Sequence, residues 1–107
     1  MRRIYHLVPR LIWEAAPPGP YRVSSLETEG FIHCSNRAQV ARSANKFYPT
    51  ESEMYLLAID PARLTSELRD EEGRPCELFP HIYGPINREA IVEVIRLERG
   101  ADGLWTF

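Results

Sequence analysis

Between Asn36 and Pro49 the residues Val40, Ala41, Ala44, Phe47 and Tyr48 recur at the i, i+1, i+4, i+7, i+8 spacing of a single helical stripe, the clearest helix in the chain. Asn36 or Ser35 supplies its N-cap and Pro49 its stop, so the spacing predicts a helix over 36–47. Around it the pattern is that of short strands, at 3–8, 31–34, 54–59, 64–69, 78–83, 90–97 and 104–107. Two shorter helical turns are expected, one after Pro9 carrying Leu11, Ile12, Ala15 and Ala16, the other from Ser24 and Ser25 to Glu29. Residues 70–74 read as a solvated hairpin loop, and 90–97, rich in Ile and Val, as a strand paired on both sides. Strands outnumber helices and the helices gather in the first half, the order of an α+β domain and not of alternating βαβ units. No dinucleotide-binding glycine fingerprint, P-loop or nucleophile elbow occurs.

A length of 107 residues fits one domain over 1–107. With 44% hydrophobic residues it buries on the order of 65% of its unfolded surface, enough for an ordinary core. No apolar stretch follows the charged start and none of about 18 residues occurs, so neither export nor a membrane span is expected. The expected location is the cytoplasm, with Cys34 and Cys76 reduced, and the expected assembly is a monomer or weak homodimer. Thirteen basic against 15 acidic residues argue against a broad nucleic-acid surface. Arg37, Arg42 and Lys46 make only a modest basic face on the helix. Twelve of the 13 basic residues are Arg, the side chain that recognises phosphate bidentately, although a GC-rich coding sequence explains the same bias.

His6, His33 and His81 are the only histidines, and each has like-faced apolar neighbours two residues away: Ile4 and Val8, Phe31, and Phe79 with Tyr83. Such positions face a core or a pocket, and the competing reading for each is a packed core histidine. Zinc is a second competitor, drawing on His33, Cys34, Cys76 and His81, but neighbours on a strand point to opposite faces and no metal-ligand spacing is present. A Cys34 nucleophile meets the same objection, since Cys34 faces away if His33 faces the pocket. Glu51, Glu53, Glu71 and Glu72 read as solvated surface, and Glu93 as a solvent-facing residue on its strand.

The blocks Ile4-Tyr5-His6-Leu7-Val8, Glu29-Gly30-Phe31-Ile32-His33-Cys34-Ser35 and Phe79-Pro80-His81-Ile82-Tyr83-Gly84-Pro85 occur in this order, with Ala44-Asn45-Lys46-Phe47-Tyr48 and Leu57-Ala58-Ile59-Asp60 between them. On these blocks the chain resembles the domain of unknown function 952 family of small bacterial proteins. That family is in turn similar to the ADP-ribosyltransferase superfamily. The resemblance implies a small split, mostly antiparallel β-sheet with two or three helices, clasping NAD as a substrate, with no metal. It implies that His6 is the first-strand histidine beside the nicotinamide ribose and that His33 occupies the second position. Phe47 or Tyr48 would be the aromatic beyond the helix. His81 joins the implied catalytic set without a counterpart of its own, while Tyr5, Ser35 and Tyr83, beside these histidines in the matching blocks, complete the implied binding set. The glutamate motif of many members is missing, which makes the RNA 2′-phosphotransferase branch the more similar one. The expected ligand is thus a small nucleotide. A non-catalytic module that binds a small ligand or a partner in the same pocket is the alternative.

Overall fold

Ile4, His6 and Val8 lie on one face of the first strand, β1 (Ile4–Pro9), and Tyr5 and Leu7 on the other; both faces are buried, so the strand sits between two cores. The computed structural model describes residues 2–107. Pro9 ends β1 and begins the short helix α1 (Arg10–Glu14). A second turn of helix, α2 (Ser25–Thr28), leads into the two-residue strand β2 (Ile32–His33). Gly30, at φ +90, makes the reversal between them in a conformation that side-chain-bearing residues seldom adopt. A 3₁₀ turn at Arg37–Gln39 with an Asn36/Gln39 capping box runs into α3 (Val40–Phe47).

Six more strands follow: β3 (Met54–Ile59), β4 (Glu67–Arg74), β5 (Glu77–Tyr83), β6 (Ile91–Arg96) and the ribbon of β7 (Glu98–Arg99) with β8 (Trp105–Thr106). They form two three-stranded antiparallel sheets, β1-β3-β6 and β2-β5-β4, beside the small β7-β8 ribbon. Ile4, Val8, Leu57 and Ile59 from the first sheet meet Ile32, Cys34 and Ile82 from the second in the larger core. The opposite face of the first sheet packs Tyr5, Leu56 and Ala58 against Val40 and Ala44 of α3 and Trp105 of β8. Asn45 secures that corner, its amide exchanging hydrogen bonds of 2.8 and 3.0 Å with the Trp105 backbone.

Three expectations change. Residues 70–74 are not a loop, because β4 continues through Arg74 and the reversal is made by Pro75 and Cys76, the latter at φ +64. The strand at 91–96 is paired on one side only, since β3 takes the centre of its sheet; this leaves Val92 and Val94 exposed, with Glu93, as expected, facing solvent. Phe47 falls off the buried stripe of α3 and stands 66% exposed, while Val40 and Ala44 are fully buried.

Candidate functional site

The two sheets touch where β1 meets the segment after β2. Tyr5 and Ser35 exchange backbone hydrogen bonds of 2.9 and 2.7 Å. The next rung of an antiparallel ladder would pair Leu7 with His33, but it is absent, and the strands part. Backbone polar groups alternate in direction along a strand, so the N–H and C=O of Leu7 point as those of Tyr5 do, into the gap. The His33 carbonyl instead accepts a hydrogen bond of 2.7 Å from Nδ1 of His6. A side chain thus takes the place of a ladder bond at the fork.

A cavity of about 650 Å³ opens there. His6, His33 and His81 all line it, with Tyr5, Leu7 and Ser35 near the fork, Lys46, Phe47 and Tyr48 from the end of α3, and Gly73, Arg74 and Phe79 from the β4–β5 hairpin. Gly73 has a packing reason: a Cβ there would stand 2.6 Å from the Phe79 ring. Seven of the eight residues expected from the sequence are brought together; Tyr83 does not line the cavity.

The tautomer of His6 follows from its partner. A carbonyl only accepts, so Nδ1 carries the proton and Nε2 keeps its lone pair. Burial holds the imidazole below its usual pKa, outweighing the opposing effect of the carbonyl bond, and keeps the ring neutral. Among the described residues the polar side-chain atoms both sealed from solvent and without a hydrogen-bond partner are Arg3 Nη1 and Tyr21 Oη. Nε2 of His6, which has no protein partner among them, is therefore open to the cavity.

His33 and His81 face each other directly across β2 and β5, ring centroids 5.5 Å apart. Each has a carboxylate: His33 Nε2 lies 2.9 Å from Glu29, and His81 Nδ1 lies 2.9 Å from Glu71. Phe31 stacks on His81 at 4.1 Å. Glu71 also accepts the Tyr83 hydroxyl at 2.5 Å, and the hydroxyl and the imidazole together hold its carboxyl below the usual range. The Arg69 guanidinium lies over the Tyr83 ring, 4.2 Å from its centroid.

Glu71, though partly exposed, is therefore engaged by His81 and Tyr83 and is not the free solvated carboxylate that its sequence neighbourhood suggests. The signal for it lay in the hairpin. Once Pro75-Cys76 is taken as the turn, Glu71 and Arg69 fall on the face of Phe79 and His81, with one bulge between Glu72 and Arg74 shifting the count by one. Lys46 and Arg74 line the cavity without any mark in the sequence, since a lone cation carries no signal of its own.

The nucleophile reading of Cys34 fails, since the side chain packs into the inter-sheet core and burial pushes its thiol far above the normal range. No group of three or more His, Cys, Asp or Glu among the described residues is arranged to hold a metal ion.

The buried neutral imidazole makes a pH prediction. Its folded pKa lies below the unfolded value near 6.5, so the unfolded chain binds the proton first and stability falls as pH drops below about 6.5. The slope is at most about 1.4 kcal/mol per pH unit for one group. Glu53, Glu67, Glu71 and Glu77, held below 4.5 mainly by Arg10, Arg69, Tyr83 and Arg42 respectively, contribute only at lower pH. Urea unfolding at pH 7.5 and 5 should show the decline in the wild type and a flatter response in His6→Gln; equal slopes would refute it.

The chain belongs to the DUF952 family, whose model, described as a protein of unknown function, matches residues 7–94. It is similar to the crystal structure of protein CC0527 from Caulobacter crescentus, at 28% identity and a TM-score of 0.84, over 97% of this chain and 93% of that one. The solution NMR structure of CC0527 matches at 29% identity and a TM-score of 0.80, over 97% and 91%. No curated protein matches the chain. No helix among the described residues is long and apolar enough to cross a membrane.

Proposed function

We propose that the cleft at the fork binds NAD, or a closely related nucleotide, and that the protein transfers the ADP-ribosyl group from it. The observation that carries this reading is His6, with Nε2 free as a hydrogen-bond acceptor at the point where the two sheets part. A neutral acceptor there suits a ligand hydroxyl such as those of a ribose. The released edge of β1 at Leu7 offers one donor and one acceptor side by side, the complement of a carboxamide. Phe47, Tyr48 and Phe79 provide ring faces for an aromatic base. Lys46 and Arg74 supply positive charge for a pyrophosphate, and neither forms an ion pair among the described residues. The resemblance to the ADP-ribosyltransferase superfamily, with its split antiparallel sheet, supports the same assignment.

The chemistry asks little more of the protein. Breaking a nicotinamide–ribose bond passes through an oxocarbenium-like state, and the enzyme gains most by fixing the ribose hydroxyls and orienting the leaving group. The imidazole of His6, locked by a backbone carbonyl, is such a fixed group.

Calorimetric titration with NAD tests the reading. The wild type should bind saturably, and His6→Ala should weaken binding about fivefold, the loss of one hydrogen bond of roughly 1 kcal/mol. Absence of binding to the wild type, or binding by His6→Ala and His33→Ala unchanged from that of the wild type, removes the idea. Saturable binding without nicotinamide release would instead mark a binding module that uses the same cleft.

A further inference from the structure

Two histidines of the cleft keep a free Nε2, and the groups that hold them differ. Nδ1 of His6 is held by a neutral carbonyl, and that of His81 by a carboxylate. A carboxylate oxygen accepts hydrogen bonds and donates none, so Nδ1 of His81 carries its proton and Nε2 keeps the lone pair. Nε2 of His81 has no protein partner among the described residues and, like that of His6, is not among the atoms sealed from solvent. When an imidazole takes up a proton, a partner carboxylate stabilises the resulting cation, which a carbonyl does far less well. The buried His6 is suited to stay neutral and His81 to accept a proton. Two like groups in one site are thus set apart by their surroundings.

We propose that Glu71 is a positioning residue that fixes His81 as the proton acceptor of this cleft, and that the second substrate is a hydroxyl compound or water. This rests on the NAD reading above. An attacking phosphate or carboxylate is already anionic and needs no base, whereas an O–H nucleophile must lose its proton as it reacts. The hydroxyl oxygen forms a bond to C1′ of the nicotinamide ribose. The bond from C1′ to the ring nitrogen breaks, its electron pair leaving with neutral nicotinamide. The hydroxyl proton passes to Nε2 of His81 and then to solvent.

The setting of the pair favours a fixed geometry. Glu71 stands on β4 and His81 on the adjacent β5, so both side chains issue from one hydrogen-bonded hairpin. Phe31 covers one face of the imidazole at 4.1 Å. The Tyr83 hydroxyl, at 2.5 Å from the same carboxylate oxygen, holds Glu71 from the other side. The other charged or titratable groups facing the pair are His33 with Glu29 from the β2 side, and on β4 Arg69, itself paired with Glu67 at 2.8 Å.

Glu71→Gln keeps a hydrogen-bond acceptor and removes the charge, which separates positioning from folding. Nitrogen-15 NMR of the imidazoles should find His81 as the Nδ1–H tautomer in the wild type. NAD should bind the variant within about threefold of wild type by calorimetry. With methanol as the acceptor, nicotinamide release should fall about 100-fold at neutral pH, within the range of general-base effects. The acid limb of its pH profile should move to lower pH, and Glu71→Asp should recover part of the rate. An unchanged profile and rate in Glu71→Gln, or a wild-type His81 protonated on Nε2, would overturn the role of Glu71. Binding without nicotinamide release by the wild type would overturn the proton transfer while leaving the cleft as a nucleotide site. Failure of NAD to bind the wild type at all would defeat the cleft reading and this one with it.

Discussion

The double variant Lys46→Ala/Arg74→Ala should bind NAD about 30-fold more weakly than the wild type while retaining its fold. Lys46 comes from the last turn of α3 and Arg74 from the end of β4, and both line the cleft. Most other cations are committed elsewhere: Arg2 to Asp70, Arg10 to Glu14 and Glu53, Arg42 to Glu77, Arg69 to Glu67. Arg88 and Arg99 are spent on backbone carbonyls. A charge-assisted bond to phosphate is worth about 1.5–3 kcal/mol, and solvent around exposed side chains lowers that toward about 1 each. Two of them make about 2 kcal/mol, hence about 30-fold in dissociation constant. Nicotinamide riboside, which has no phosphate, should bind both proteins alike, and the salt dependence of NAD binding should be shallower in the variant. Equal losses for the riboside and the dinucleotide would mean that these cations act through the fold and not on phosphate. Glu72 also lines the cleft, but its carboxylate accepts the Cys76 N–H across the hairpin turn.

What could be read from the residue order divides along a physical line. Period-two and helical patterns report which face of an element is buried: β3 spans Met54–Ile59 as expected, His6 lies between Ile4 and Val8 on the inter-sheet face, and the helical stripe holds at Val40 and Ala44 but fails at Phe47, the last residue of its helix. Pairing is another matter. Nothing in the Ile and Val content of residues 91–96 says whether one neighbour strand or two will form, and β6 took one. The sequence Asp70-Glu71-Glu72-Gly73-Arg74 has the composition of a loop because β4 is an edge strand with much of its length in solvent, and composition tracks exposure more closely than hydrogen bonding. The site shows the same division. Its histidines were legible because an imidazole among apolar residues is unusual, whereas Glu71 became visible only with the register that sets it beside His81.

Leu57→Ala should cost about 3 kcal/mol of folding free energy, within the 2–5 kcal/mol seen for such truncations, and this is the largest stability effect expected of a single substitution here. Leu57 lies on the central strand β3, is fully shielded from solvent and belongs to the core between the two sheets. Domains of this size hold about 5–15 kcal/mol in total, and 1 kcal/mol corresponds to roughly 4–8 °C in Tm, so the midpoint should fall by about 12–24 °C. Val94→Ala is the control: Val94 is the partner of Leu57 on β6, but it stands 42% exposed and should cost well under 1 kcal/mol. The effect should also reach the cleft. Directly opposed residues of an antiparallel pair share a face, and the residue opposite Leu57 on β1 is His6. Removing the leucine takes away packing beside the imidazole whose bond to the His33 carbonyl bridges the two sheets. Hydrogen exchange in Leu57→Ala should therefore accelerate at Tyr5 and Ser35, the rung beside the fork, more than at the β4–β5 hairpin. Uniform acceleration across both sheets would show that the fork opens only with global unfolding, and His6 would then be held by the whole core instead of by its own strand.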